Sequence, residues 1–347
     1  MVTEEQLAAA LDTALETARR GHRGANPLVG ACVLDESGSL ITTGFHLGAG
    51  NPHAEIEALR RLGRISKQRA SELTMVVTLE PCNHTGRTGP CAQAIAQAGI
   101  GRVHYAMSDT TAAASGGADY LRSVGVQVSQ GAAGKELREL NHRWILAKEQ
   151  SRPFITVKTA QSLDGRINAP DGSSQWITST ESRAHAHSLR ARVDAIVVGT
   201  NTVEHDNPRL NARTPAGTPL PRQPHRLIMG ERDLPSGLAL EFDEHFEQVR
   251  TRDARTLVEL AAERGYGHLL IEGGATIASA FISADLADEI YCYQAPLIIG
   301  GGDSSVNIAG TRTLSDARHY RLDAYSNETL NRLGPDVMMH LEPLPRS

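Results

Sequence analysis

The apolar positions divide the chain into alternating helical and strand-like patterns. After Thr3, which pairs with Gln6 as a capping box, the spacing predicts an amphipathic helix to about Arg20. Gly21-His22-Arg23-Gly24 ends it, and Asn26-Pro27-Leu28-Val29-Gly30 leads into a strand over 31–34. The turn Glu36-Ser37-Gly38 brings the chain back as a partner strand over 39–46. A helix is expected to start at Pro52-His53. A strand over 73–79, a helix over 91–98 ended by Gly99, and a strand over 102–107 come next, then a helix near 118–123 and a short strand at 126–128. Residues 135–148 read as one helix of mixed charge, closed by Ser151-Arg152-Pro153.

Beyond that boundary the pattern predicts strands over 154–159, 194–199, 225–229 and 268–272. Helices are expected after Thr178, with Glu181 completing a capping box, and over 255–264 and 275–283. Asp164-Gly165 reads as a turn, residues 201–208 as a short polar segment and the Pro-rich stretch 214–224 as loop. Residues 231–252 carry little periodicity. Gly273-Gly274, between a strand and a helix start, would let a phosphate approach backbone amides, and Ile298-Ile299-Gly300-Gly301-Gly302 reads as a second such loop or a bulge. Alternating strands and helices imply layered α/β sheets with sites at the strand ends. A chain of 347 residues is long enough for two domains, expected at 1–149 and 150–347.

Composition narrows the function classes. The chain is 40% hydrophobic and 4% aromatic, enough for ordinary aliphatic cores. A formal charge of −5 and no basic stripe argue against a nucleic-acid partner. No apolar run approaches membrane-span length, no signal peptide is read, and a cytoplasmic protein is expected. Of the four cysteines, Cys32 and Cys292 lie in apolar runs and read as buried and reduced.

Candidate chemistry concentrates at Asn51-Pro52-His53-Ala54-Glu55 together with Pro81-Cys82 and Cys91. One imidazole and two thiolates can hold zinc and leave a fourth position for water, and Glu55 beside them can shuttle protons, as in nucleobase deaminases. Asn26 is a candidate base-recognising amide. The alternatives are a chance His-Ala-Glu, two cysteines that form a disulfide or are simply buried, and an Asn that only shapes a turn. Eight residues separate the two cysteines, where the general deaminase signature has two, so 83–90 form a loop at the mouth of the site.

The motifs Asn26-Pro27-Leu28-Val29-Gly30, His53-Ala54-Glu55, Glu80-Pro81-Cys82, Gly86-Arg87-Thr88 and Pro90-Cys91 resemble the bifunctional deaminase–reductases of riboflavin biosynthesis. So do Lys158 with Ser162-Leu163-Asp164-Gly165-Arg166, Ser174-Gln175-Trp176-Ile177-Thr178, Asp194-Ala195-Ile196 and Glu272-Gly273-Gly274. The resemblance implies a cytidine-deaminase-like three-layer domain followed by a dihydrofolate-reductase-like domain. It implies zinc-dependent hydrolytic deamination of a diaminopyrimidinone ribosylamino phosphate, then NADPH-dependent reduction of the ribosyl chain to ribityl. A runner-up reading is a deaminase whose second half only supports oligomers. Carried over by position, His53, Cys82 and Cys91 would bind zinc and Glu55 would move protons. Asn26, Arg87 and Asp109 would contact the deaminase substrate. Ala160, Trp176, Thr202, Asp206, Gly274, Ala275 and Thr276 would bind NADPH. Lys158, Ser174, Arg190, Leu210, Arg213 and Glu272 would face the reductase substrate, the two arginines on its phosphate. The chain departs from the family at Thr110-Thr111-Ala112, where Pro-Asn-Pro is usual, and at Gly89, where Pro is usual. The expected partners are a small pyrimidine phosphate and further copies of the chain, as a dimer or tetramer.

Overall fold

A computed structural model describes residues 2–21, 26–48, 51–83, 89–109, 116–132, 134–214, 216–240, 245–323 and 329–344. The chain forms two compact units, one of Met1–Lys148 and one from Glu149 onward. Among the described residues, no helix is long and apolar enough to cross a membrane.

The first unit runs α1 (Glu4–Ala18), β1 (Gly30–Leu34), β2 (Leu40–Phe45), α2 (Ala54–Leu62), α3 (Lys67–Glu72), β3 (Thr74–Leu79), α4 (Cys91–Ala98), β4 (Arg102–Met107), α5 (Gly117–Ser123), β5 (Gln127–Gln130), α6 (Lys135–Leu140) and α7 (His142–Glu149). The five strands lie in the order β2-β1-β3-β4-β5. The hairpin β1–β2 and the pair β1–β3 are antiparallel, while β3–β4 and β4–β5 are parallel. Period-2 alternation decides which side chain faces which layer. Ala31, Val33, Met75 and Val77 pack with Ala54, Ala58, Ala92, Ile95 and Leu121 of α2, α4 and α5. Cys32, Leu34 and Val76 pack with Leu7, Ala10 and Ala14 of α1. That makes three layers. Helix α1 sits close because Gly30 has no side chain: a Cβ there would lie 1.9 Å from the Ala14 carbonyl oxygen.

The second unit contains β6 (Phe154–Gln161), α8 (Thr180–Arg190), β7 (Ala195–Gly199), α9 (Thr200–Asp206), β8 (His225–Met229), β9 (Phe246–Val249), α10 (Ala254–Glu263), β10 (His268–Ile271), α11 (Ala275–Ser283), β11 (Glu289–Gln294), a short 3-10 turn, β12 (Tyr320–Leu322), β13 (Leu330–Leu333) and β14 (Asp336–Pro343). The sheet order is β12-β14-β11-β6-β10-β7-β8-β9, with β13 paired to β14. The run from β11 through β9 is parallel and β14 is antiparallel to β11. Its central strands are apolar on both faces, as a covered parallel sheet requires. Ile155, Val197 and Leu269 meet Leu257 and Phe281 of α10 and α11 on one side. Ile196, Ile228 and Leu270 meet Leu189 and Val203 of α8 and α9 on the other.

Five features differ from the sequence reading. The expected single helix over 135–148 is two, because the buried side chain of Asn141 accepts from Leu28 N (2.8 Å) and donates to Leu28 O (3.0 Å), which holds that residue outside helical geometry. The cap of α8 is Ser179, which accepts from Ser182 N, and not Thr178. The polar segment 201–208 is mostly the helix α9, and 67–72, for which the pattern gave nothing, is α3. The glycine loop after β11 is no phosphate cradle: its Ile299 and Gly300 amides both donate to the Asp164 carboxylate, at 3.1 and 2.8 Å. The Asp164 turn is therefore a clamp between two loops.

Candidate active sites

In the first unit the site is built at one end of the sheet by three elements. Pro52 leads into His53, the N-cap of α2, and places Glu55 in the first turn of that helix. Strand β3 ends at Leu79, and Cys82 follows two residues after Glu80. Glu80 is pinned at both ends, by its N–H to Met107 O (2.8 Å) and by its carboxylate to Ala118 N (3.0 Å). Cys91 opens α4, and its backbone N–H donates to the Cys82 sulfur at 3.4 Å. A helix N-terminus aimed at sulfur favours the thiolate.

His53 Nδ1 lies 3.6 Å from Cys82 Sγ and 3.2 Å from Cys91 Sγ, and the three donor atoms all fall within 4.8 Å of one another. Two sulfurs and one imidazole nitrogen converging in a buried spot fit zinc, with protein donors at three positions. The protonation pattern agrees. A hydrogen bond from Cys91 holds the Cys82 thiol down to about 4, while that same bond and burial push Cys91 up. Two thiols competing for one proton are what a dication resolves, by making both thiolates. Glu55 is 3% exposed, and burial pushes its carboxyl above the ordinary carboxylate range. Such a carboxyl holds a proton more readily than an exposed one, as a group that accepts and returns protons requires.

Asn26 reaches this site through His46, with Nδ2 and Nε2 3.1 Å apart. Asp109 is buried beyond the end of β4. Arg87 and the departures at 110–112 lie outside the described residues, whereas Gly89 borders open space, where a Cβ would meet nothing.

The second unit carries a cavity of about 1320 Å³ along the C-terminal ends of β6, β7, β8, β9 and β10, where open parallel sheets place their ligands. Of the expected residues, Lys158, Ala160, Ser174, Thr202, Asp206, Glu272, Gly274, Ala275 and Thr276 line it. Gly273 is required by close packing, since a Cβ would come 2.4 Å from Ile277 Cβ, while Gly274 leaves open space beside the N-terminus of α11. A helix start approached over bare backbone suits a dinucleotide's pyrophosphate. The large cavity with this cradle fits NADPH.

Trp176 is 67% exposed and lies under the Arg183 guanidinium, 4.4 Å from the ring centroid. Leu210 is buried in the core at φ 49°, which leaves only its backbone for any ligand contact. Arg190 is engaged: its Nε and Nη2 each donate to Glu272 at 2.7 Å. Burial alone would raise the Glu272 pKa, but Arg190, with Lys158 behind it, outweighs burial and holds it at about 2. Arg213 donates to His187 Nε2 at 2.9 Å and has no carboxylate in salt-bridge reach among the described residues. Burial, then the charges of Arg190 and Arg213, press His187 down to about 4, so it stands neutral between two guanidinium groups.

His46, His187 and the cavity-lining Arg232, Thr251 and Arg252 were not singled out from the sequence. Arg232, Thr251 and Arg252 all fall in the stretch of weak periodicity; the strand-end rule, applied once β8 and β9 are placed, points to all three.

Comparison with known proteins agrees with both sites. A family model for the cytidine and deoxycytidylate deaminase zinc-binding region matches residues 4–107, and one for the RibD C-terminal domain matches residues 153–329. The riboflavin biosynthesis protein RibD of Mycobacterium tuberculosis is 38% identical, covering 91% of this chain and 90% of its own. That of Escherichia coli is 33% identical over 94% and 97%. The Acinetobacter baumannii RibD structure, form 1, superposes with a TM-score of 0.78 at 32% identity, covering 98% of this chain and 99% of that one. A Thermotoga maritima diaminohydroxyphosphoribosylaminopyrimidine deaminase/5-amino-6-(5-phosphoribosylamino)uracil reductase gives 0.70 at 27% identity over 98% and 99%.

Proposed function

The chain belongs to the RibD family, the bifunctional deaminase/reductases of riboflavin biosynthesis, and from that premise we propose how its residues divide the two reactions. The observation that carries the reading is the His53, Cys82 and Cys91 donor set beside the buried carboxyl of Glu55. We assign deamination to residues 1–149 and reduction to residues 150–347, in a cytoplasmic homo-oligomer.

The deaminase substrate is 2,5-diamino-6-(5-phosphoribosylamino)pyrimidin-4-one. His53, Cys82 and Cys91 would hold zinc, which when bound would supply Lewis acidity to make water nucleophilic near neutral pH. Glu55 accepts a proton from the attacking water as the C–O bond forms. It passes that proton to the neighbouring ring nitrogen, takes the second from the new hydroxyl and gives it to the amino nitrogen, so that the C–N bond breaks with loss of ammonia as the carbonyl forms. Its raised pKa suits both halves of that transfer. Asn26, Arg87 and Asp109 hold the substrate.

In the reductase unit bound NADPH would supply hydride for the ring-opened sugar carbon. Ala160, Trp176, Thr202, Asp206 and Gly274–Thr276 hold the cofactor. Lys158, Ser174, the Leu210 backbone and Glu272 face the sugar. Of the two arginines, Arg213 is the free charge for the substrate phosphate, and Arg190 orients Glu272. Deamination is tested by ammonia release from the pyrimidine by the zinc-loaded chain with NADPH omitted. Steady release supports the assignment, and none from a protein holding one zinc per chain would refute it.

A further inference from the structure

His46 is a buried residue that the mechanism above does not use. It follows β2, is 4% exposed, and packs edge-on against His53 with ring centroids 5.1 Å apart. Its backbone N–H is tied to Val29 O at 3.1 Å. Both ring nitrogens have partners of fixed meaning. Nδ1 lies 2.9 Å from the carbonyl oxygen of Pro52, which can only accept, so Nδ1 carries the hydrogen. The Nδ2 end of the Asn26 amide, which can only donate, faces Nε2 at 3.1 Å, and two donors cannot meet there, so the two contacts together are met by a ring with its hydrogen on Nδ1 and a bare, accepting Nε2.

This chain of donors removes the ambiguity that an amide side chain otherwise carries. With Nδ2 held by His46, the Asn26 Oδ1 is the free end, and it has no hydrogen-bond partner among the described residues and is not buried. We propose that His46 is a positioning residue that locks Asn26 with its carbonyl oxygen outward, so that the deaminase pocket reads an N–H donor on the pyrimidine edge. The reversed amide would select a ring nitrogen or carbonyl instead. The inference rests on the deaminase assignment above, whose 2-amino-4-oxopyrimidine ring offers N–H groups on that edge.

The test joins two measurements on the zinc-loaded full chain. Long-range ¹H–¹⁵N correlation of histidine-labelled protein at neutral pH, with His46 assigned from its absence in His46→Asn, should show a protonated Nδ1 and a pyridine-like Nε2. A protonated Nε2 would overturn the proposal, whatever the variants do. Kinetically, His46→Ala should raise KM for the pyrimidine by about tenfold, the scale of one lost hydrogen bond, with zinc content and kcat nearly unchanged. His46→Gln, whose amide oxygen can accept from Asn26, should recover part of that loss. An unchanged KM in zinc-replete His46→Ala would also overturn it. If the wild type releases no ammonia at all, the deaminase assignment fails instead, and the nitrogen spectrum still decides the tautomer.

Discussion

At the scale of single residues, each site contains a pair of groups whose surroundings push them apart. Glu55 is raised by burial, and beside it the Cys82 thiol is held down while the Cys91 thiol is pushed up. Cys82→Ser should therefore lose most of its zinc, measured by metal analysis after dialysis. Glu55→Gln should keep the metal and lose about two orders of magnitude or more in deamination. In the reductase unit the arginines behave differently. Arg213→Ala removes a charge-assisted contact worth about 1.5–3 kcal/mol. It should raise KM for the pyrimidine substrate roughly 10- to 150-fold and leave that for NADPH in place. Arg190→Ala instead leaves Glu272 buried and unpaired, a loss of about 3–5 kcal/mol in folding stability, read from the denaturant midpoint. The Glu272 carboxylate also sets a pH dependence. Its folded pKa of about 2 lies below the ordinary 4.5, so its stabilisation is complete above about pH 4.5 and lost as the pH falls toward 2. Glu272→Gln should flatten that slope in denaturant midpoints measured from pH 5 downward.

The zinc donors and Glu55 were legible because their chemistry is rare and their spacing local. Arg190 and Arg213 stood out only by resemblance, and their different partners did not, since a guanidinium's partner 82 residues away is invisible to local pattern. His46 and His187 went unseen for the same reason. Their importance comes from what meets them in space.

At the scale of elements, the site depends on how closely the loop before Cys82 approaches α5. Gly117 starts that helix, and a Cβ on it would fall 1.7 Å from the Pro81 carbonyl oxygen. Gly117→Ala must displace the backbone next to a zinc ligand. It should release zinc faster to a chromogenic chelator than the wild type, with reductase activity unaffected; equal release rates would contradict this coupling. Elements with strong local signals were read well: the capping box of α1, the stop of α4 at Gly99 with φ 80°, and the apolar strand β10. The misses have tertiary causes. Asn141 breaks a helix through a contact with Leu28, 113 residues earlier, and α9 is polar because it follows β7 at the cavity rim. The antiparallel ladder of β12, β13 and β14 carries few long apolar runs and was not read.

At the scale of the whole molecule, two three-layer units each place a site at strand ends, as the alternation of strands and helices implied. What the sequence left open was the depth of each pocket and its polarity, which depend on packing between distant segments. The assignment of one reaction to each unit predicts that their chemistry separates. The most direct test gives purified, zinc-loaded wild type and Glu55→Gln the diaminopyrimidine substrate with NADPH, and in parallel the deaminated pyrimidine with NADPH. Wild type should release ammonia and oxidise NADPH in the first case. Glu55→Gln should do neither there, yet oxidise NADPH at the wild-type rate when supplied with the deaminated pyrimidine. Loss of both activities in a folded Glu55→Gln protein, or wild-type ammonia release with no NADPH oxidation on either substrate, would contradict the account.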